Sequence, residues 1–243
     1  HLRAFELREQ AQVQAWRVAM EAEPERLWLV KPCTTGRSEG IRFISSVEEA
    51  TEHVNTWAVA QEYVSRPYLF GGHKFHIRLY VLATRWTPPG VLLFDEGLVF
   101  RSRHAYDAAN PSKERDIFSA VSQDVQALEL SALWHELGKE AGAVRGRIQA
   151  MLAEVLGLEL GTSFGDTEPL ASYGFSCFDL FAADVILDEG LEPLLLEMNQ
   201  GPNLWVETEA REEQPLLRKV KSPLMGQLAQ WAAARVGASP TTT

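Results

Sequence analysis

The segment Leu194–Leu204 (LLLEMNQGPNL) places acidic and amide side chains where they could do chemistry. In a strand, alternate side chains share a face. Leu195, Glu197 and Asn199 therefore point one way, and Leu194, Leu196 and Met198 the other. On the preceding apolar run, Asp184 shares a face with Leu180, Ala182 and Ile186. Pairing Leu187 with Leu194 around the turn at Asp188-Glu189-Gly190-Leu191 sets Asp184 opposite Glu197. Two carboxylates and an amide oxygen then converge within an otherwise apolar hairpin. Unpaired buried carboxylates are costly, and a hard cation with oxygen ligands offsets that cost. Magnesium suits a few carboxylates plus nucleotide phosphates. The competing possibility is that Asp184 and Glu197 lie on an exposed face or meet Arg and Lys.

A second constellation is basic. Lys74, His76 and Arg78 occupy alternate positions of one strand, while Phe75, Ile77 and Leu79 face the core. Three such side chains in a row suit an anion, since charge-assisted bonds to phosphate are strong and Arg can be bidentate. A solvated edge strand with basic gatekeepers would read the same way. Arg101 and Arg103 form another same-face basic pair on a nearby strand. Lys31 closes a short apolar strand, just before the loop Thr34-Thr35-Gly36-Arg37-Ser38-Glu39-Gly40. Backbone amides of such a loop can approach phosphate oxygens, although no Walker pattern is present and a plain turn also accounts for it. One basic face, one acidic hairpin and one small-residue loop together point to a nucleotide–magnesium site, with the phosphates between the two.

The elements that must position these groups are legible from periodicity. Residues 1–22 read as an amphipathic helix carrying Phe5, Val13, Trp16 and Met20, ended by Pro24. Strands are expected at Leu27–Val30, Ile41–Ile44, Val59–Val64 and Lys74–Thr84. Ser46 followed by Glu49 fits the cap of a helix over Val47–Asn55. Pro67 to Gly72 reads as a loop or lid. Pro88-Pro89-Gly90 is a turn, and Val91–Phe94 and Leu98–Arg103 read as two strands of a hairpin. Residues 104–123 carry little periodic signal. Residues 124–157 are helical by pattern, with Leu128, Leu133, Leu137, Val144, Ile148, Met151 and Val155 as the apolar stripe. After a turn-rich linker at Gly161–Gly174 come strands at Cys177–Leu187 and Leu194–Met198. A last helix spans Gln214 to Val236 with an interruption near Pro223, and Ser239–Thr243 is a frayed tail. The class is mixed α/β (α+β), with antiparallel hairpins and peripheral helices.

Bulk properties narrow the partners. The 243 residues can bury a sizeable core as one large domain or two lobes. No apolar run approaches the ~20 residues of a membrane-spanning helix. The net charge of −10 argues against a general nucleic-acid binder. The expectation is thus neither membrane nor nucleic acid. Cys33 and Cys177 are expected to be free, buried thiols in a reducing compartment. The chain begins with His1, which reads as a fragment or processed product.

These residues resemble the tubulin–tyrosine ligase-like family, whose core is an ATP-grasp fold. The resemblance runs through Trp28–Ile41 (WLVKPCTTGRSEGI), Ala60–Pro67 (AQEYVSRP), Leu69–Tyr80 (LFGGHKFHIRLY), Asp95–Val99 (DEGLV) and Cys177–Leu204. It implies a remnant of the preceding lobe at 1–24, a central lobe with the phosphate loop at 25–66, and a C-terminal lobe with the magnesium site at 67–243. The family's N-terminal lobe reads as shortened or missing. By resemblance, Lys31 and Lys74 contact ATP phosphates, with Arg37, Ser38 and Gly40 in the mobile loop over them. Gln61, Glu62, Tyr63 and Val64 form the hinge along the adenine. Arg78 faces the γ-phosphate and the acceptor carboxylate, and with Lys74 carries the catalysis. Asp184, Glu197 and Asn199 are the magnesium ligands.

Several positions depart from the family pattern. Glu62 stands for Lys, Ser38 for Gly and His76 for Asp. Phe100 aligns with an arginine, and Arg101 follows one position later, which turns a side chain to the other face unless a bulge corrects it. The family's His-Leu-Thr-Asn stretch has no counterpart, the nearest text being Ile117–Val121 (IFSAV).

The resemblance implies an ATP- and magnesium-dependent ligase that joins glutamate, glycine or tyrosine to a protein, commonly a tubulin tail, in the cytoplasm, on the cytoskeleton or in cilia. An acidic tail meeting an acidic chain needs a concentrated basic path, for which Arg101, Arg103, Lys113 and Arg115 are the candidates. The competing expectation is a non-catalytic nucleotide-binding scaffold that keeps the ligase fold. A ligase acting on a small peptide is a third.

Overall fold

A computed structural model describes residues 2–34, 38–51, 53, 56–86, 89–111, 124–163, 178–206 and 214–236. The chain divides into two compact units. The first takes His1–Phe75, Arg101–Gln126 and Leu187–Gly190, and the second His76–Phe100, Ala127–Ile186 and Leu191–Thr243.

The first unit holds a four-stranded sheet in the order β1-β4-β2-β3, with β1 Ala4–Glu6, β2 Trp28–Pro32, β3 Arg42–Ile44 and β4 Ala58–Glu62. All its pairings are antiparallel, and Leu29 lies opposite Gln61. Helix α1 (Gln10–Ala22) buries Val13, Trp16 and Met20, the stripe expected from its period. Trp16 meets Trp28 edge-on at 6.3 Å, in a core shared with Leu7, Val30, Ile44 and Ala60. The expected helix over residues 1–22 is corrected at its start. Residues 4–7 alternate outward and inward with a period of two, so Ala4–Glu6 pairs with β4 and Phe5 belongs to a strand. A short helix α2 (Val47–Thr51) follows β3. Its cap is as expected: the Glu49 amide donates to Ser46 Oγ at 3.2 Å, and the Glu49 carboxylate accepts from the Ser45 amide at 2.8 Å.

Most of a five-stranded sheet lies in the second unit, in the order β7-β6-β5-β8-β9. Its strands are β5 Phe75–Trp86, β6 Pro89–Ser102, β7 Val125–Glu129, β8 Asp179–Leu187 and β9 Pro193–Gln200. Helices α3 (Leu130–Leu137), α4 (Ala141–Ser163) and α5 (Gln214–Val236) accompany it. Two expectations change here. The helical pattern over 124–157 breaks into β7, α3, a 3-10 turn at Gly138–Glu140 and α4. Leu128 therefore sits in a strand, whereas Leu133, Leu137, Val144, Ile148 and Met151 are buried as the stripe required. The expected pair of strands at 91–94 and 98–103 is one continuous strand. Asp95-Glu96-Gly97 is not a turn: a Cβ at Gly97 would lie 2.6 Å from the Arg78 carbonyl oxygen, so glycine serves a close backbone approach. Helix α5 runs on through Pro223 without interruption. Cys33 is free but exposed, against expectation; Cys177 lies outside the described residues.

Candidate functional site

In the first unit, β2 and β4 place Lys31 and Gln61 on one sheet face, and Lys31 Nζ donates to Gln61 Oε1 at 2.5 Å. Beyond β4, Tyr63 and Val64 are buried. The Tyr63 ring meets Phe43 edge-on at 5.0 Å and offers its face to Lys74 Nζ at 3.9 Å. Lys74 is only 6% exposed. Ser38 and Gly40 have φ of 60° and 75°, so Ser38 adopts a left-handed backbone that glycine takes more readily. Arg37 lies outside the described residues.

The Glu62 side chain points away from Gln61. Alternation turns it to the opposite face, where its carboxylate accepts from Arg3 Nε at 2.9 Å and pairs with Arg26. Arg3 also bonds Glu23 at 2.8 Å. Hydrogen bonding to Glu62 leads in raising the Arg3 pKa above its usual range, and bonding from Arg26 leads in lowering that of Glu23. Arg101 lies at the end of β6, and Arg103 follows its last residue, Ser102. Arg101 lies over the Phe70 ring at 5.2 Å and donates to Gln126 at 2.7 Å. The Arg103 amide donates to the Asp124 carbonyl at 2.7 Å. Lys113, Arg115 and Ile117–Val121 are outside the described residues.

The second unit brings Arg78 and Asp184 together as direct cross-strand partners. Arg78 Nε donates to Oδ1 at 2.8 Å and Nη2 to Oδ2 at 2.6 Å, a bidentate pair on a carboxylate that is 5% exposed. Burial is the largest single influence on the Arg78 pKa and lowers it. The Asp184 hydrogen bonds and the charges of Asp184, Tyr80 and Glu197 together outweigh it, and the net direction is upward. Strand β5 is central in the sheet, so the edge-strand account of the basic row does not apply. Phe100 packs against the His76 ring at 5.3 Å and under the Arg78 guanidinium at 5.4 Å. The next residue, Arg101, lies over the Phe70 ring instead of beside His76.

Glu197 and Asn199 share a face of β9, and Asn199 Nδ2 donates to Glu197 Oε1 at 2.9 Å. The Gly201 amide donates to the Leu180 carbonyl at 2.9 Å. Carried four residues along an antiparallel pair, that register sets Glu197 across from Asp184. The premise that both carboxylates are buried is corrected, since β9 is an edge strand and Glu197 is exposed. Asp184 alone is buried, and Arg78 meets the cost of its charge. Among the described residues, no three His, Cys, Asp or Glu side chains gather as a metal site. The donor set is two carboxylates and an amide oxygen left available by the Asn199 nitrogen bond. That chemistry fits magnesium, which keeps several waters and takes few protein oxygens. Sequence reasoning passed over Tyr106 near Lys74, because its segment has no periodic signal, and the pairing of Arg78 with Asp184, which only the β5–β8 register reveals.

Two antiparallel sheets with peripheral helices define a mixed α/β protein, consistent with part of an ATP-grasp fold. The profile of the tubulin-tyrosine ligase family matches residues 2–121 and 170–229. The chain belongs to that family. It is 28% identical over 212 residues to the human tubulin monoglutamylase TTLL4, covering 77% of this chain and 17% of that protein. The tubulin polyglutamylase ttll-4 of Caenorhabditis elegans is 30% identical over 230 residues, covering 84% of this chain and 36% of the relative. The mouse tubulin polyglutamylase TTLL5 is 25% identical over 224 residues, covering 83% and 16%. The chain therefore spans well under half the length of these relatives.

Proposed function

We propose that this chain carries the ATP- and magnesium-dependent part of an ADP-forming ligase that joins an amino acid, with glutamate favoured, to a protein acceptor, with tubulin favoured. The observation that carries the reading is the family profile's match over residues 2–121 and 170–229, which include Lys31, Gln61, Lys74, Arg78, Asp184, Glu197 and Asn199, together with the overall similarity to tubulin glutamylases. A cytoplasmic or cytoskeletal place of action follows from that acceptor, cilia included.

Lys31 and Lys74 supply positive charge for nucleotide phosphates, and Gln61 fixes the Lys31 ammonium. Tyr63 and Val64 give the adenine an apolar edge. Arg78, held by both oxygens of Asp184, presents a guanidinium whose plane is already set, and preset charge costs nothing to reorganise during reaction. Asp184, Glu197 and Asn199 would hold magnesium, which supplies charge neutralisation as the phosphoryl group moves. The acceptor carboxylate takes the γ-phosphoryl group of ATP, giving an acyl phosphate and ADP. The incoming amine then attacks the acyl carbon, phosphate leaves, and an amide bond remains.

Two measurements test this. Radiolabelled glutamate should enter purified tubulin with magnesium-ATP; failure of glutamate, glycine and tyrosine alike, on tubulin and on extract proteins, sinks the ligase reading. Glu197→Gln should weaken magnesium-dependent ATP affinity by at least about tenfold, and unchanged affinity removes Glu197 from the ligand set. A second reading, a nucleotide-binding scaffold, is favoured by Phe100 beside Arg78, where the resembled family has an arginine. Magnesium-dependent ATP binding without incorporation of any amino acid would select it.

A further inference from the structure

Tyr106 lies past the end of β6, in a segment tied at several points to residues 65–74. Its amide donates to the Gly72 carbonyl at 3.1 Å, and its hydroxyl donates to the Ser65 carbonyl at 2.6 Å. The same oxygen is 3.5 Å from the Tyr63 hydroxyl. Next to it, the His104 carbonyl meets His73 Nδ1 at 2.9 Å, and the Ser102 amide donates to the Lys74 carbonyl at 2.9 Å. Lys74 Nζ stands 3.9 Å from the centre of the Tyr63 ring and 5.7 Å from that of Tyr106. The backbone of Lys74 is thus fixed by Ser102, and its ammonium lies over two aromatic faces.

We propose that Tyr106 is a positioning residue for the Lys74 ammonium, which it holds with Tyr63 in a two-ring cradle ready for a nucleotide phosphate. The proposal rests on the nucleotide reading given above. Ring faces attract a cation through their quadrupole. The attraction they supply adds no formal negative charge and so does not compete with a phosphate for the ammonium. A lysine stem is long and flexible, and ordering it before the ligand arrives lowers what binding must later spend in entropy. The hydroxyl bond to Ser65 sets the ring, and the ring sets the cation.

The test uses two variants and two readouts. Acetylation of lysines by an acetylating reagent, read by mass spectrometry on nucleotide-free protein, measures access to Lys74 with exposed Lys219 as internal reference. Calorimetry measures magnesium-ATP affinity. Tyr106→Leu should speed Lys74 acetylation by about fivefold and weaken ATP by about fivefold, the scale of one cation–ring contact. Tyr106→Phe keeps the ring and loses the Ser65 bond, so about twofold is expected in both. Unchanged Lys74 acetylation in Tyr106→Leu, with the melting temperature preserved, overturns the proposal. So does faster acetylation with unchanged ATP affinity while Lys74→Met weakens it. Unaltered ATP affinity in Lys74→Met instead overturns the nucleotide reading itself, and the positioning role with it.

Discussion

Lys74 and Arg78 are four residues apart in the chain, and the two units hold them by opposite means. In the first unit the Lys74 ammonium lies over the faces of Tyr63 and Tyr106. In the second, the Arg78 guanidinium is gripped along its Nε–Nη2 edge by both oxygens of Asp184. Aromatic faces restrain a cation without setting a formal negative charge of their own against it. A bidentate carboxylate removes much of that charge and gains a fixed orientation. The contrast separates a cation restrained by ring faces from one fixed in plane by a buried acid.

The largest effect should come from the carboxylate side. Asp184→Asn leaves the Arg78 charge in a poorly hydrated place with half its partner gone. A loss of roughly 3 kcal/mol is expected in urea unfolding, at the low end for a broken buried pair because Arg78 keeps some access to water. A loss below about 1 kcal/mol would mean that Arg78 does not depend on Asp184, and the contrast would collapse. Lys74→Met should cost less, about 1 kcal/mol in the same assay, since a thioether also packs well against ring faces. An equal loss at the two positions would show that the rings anchor structure as firmly as the carboxylate does.

The smallest effect concerns acid. Hydrogen bonding from Arg26 and then Arg3 lowers the Glu23 pKa below its ordinary 4.5, and bonding from Lys219 does the same for Glu129. A lowered carboxylate contributes stability that is present above the unfolded value and lost as pH falls through the folded one. Thermal melts should therefore be insensitive to these two groups at pH 7 and decline below about pH 4.5. Both groups face water, so Glu23→Gln should flatten that decline only slightly; a decline of unaltered slope removes Glu23 from it.

Much of the site was readable from sequence because it lies on strands, where a period of two assigns faces without further information. Glu197 with Asn199 is of this kind, whereas Lys31 meets Gln61 only because β2 and β4 are neighbours. What stayed hidden depends on which strands are neighbours. That Asp184 meets a cation was among the sequence expectations, but which one, Arg78, comes from the β5–β8 register. Glu62 sits one residue from Gln61 in the hinge text, and that single step sends it to Arg3 and Arg26. The strand at Ala4–Glu6 and the one at Val125–Glu129 were absorbed into adjoining helical patterns, since three to five residues cannot outvote a long amphipathic run. Tyr106 belongs to a stretch with no period at all, and only its contacts reveal it.

Gly97 has a consequence reaching beyond its own strand. Its missing side chain lets β6 come within contact distance of the Arg78 carbonyl, so the backbone under the guanidinium is gauged by an empty space. Position 97 is thus a set-screw for the site: an engineer could slacken or shift Arg78 from there without altering a single charged or ligand-bearing group.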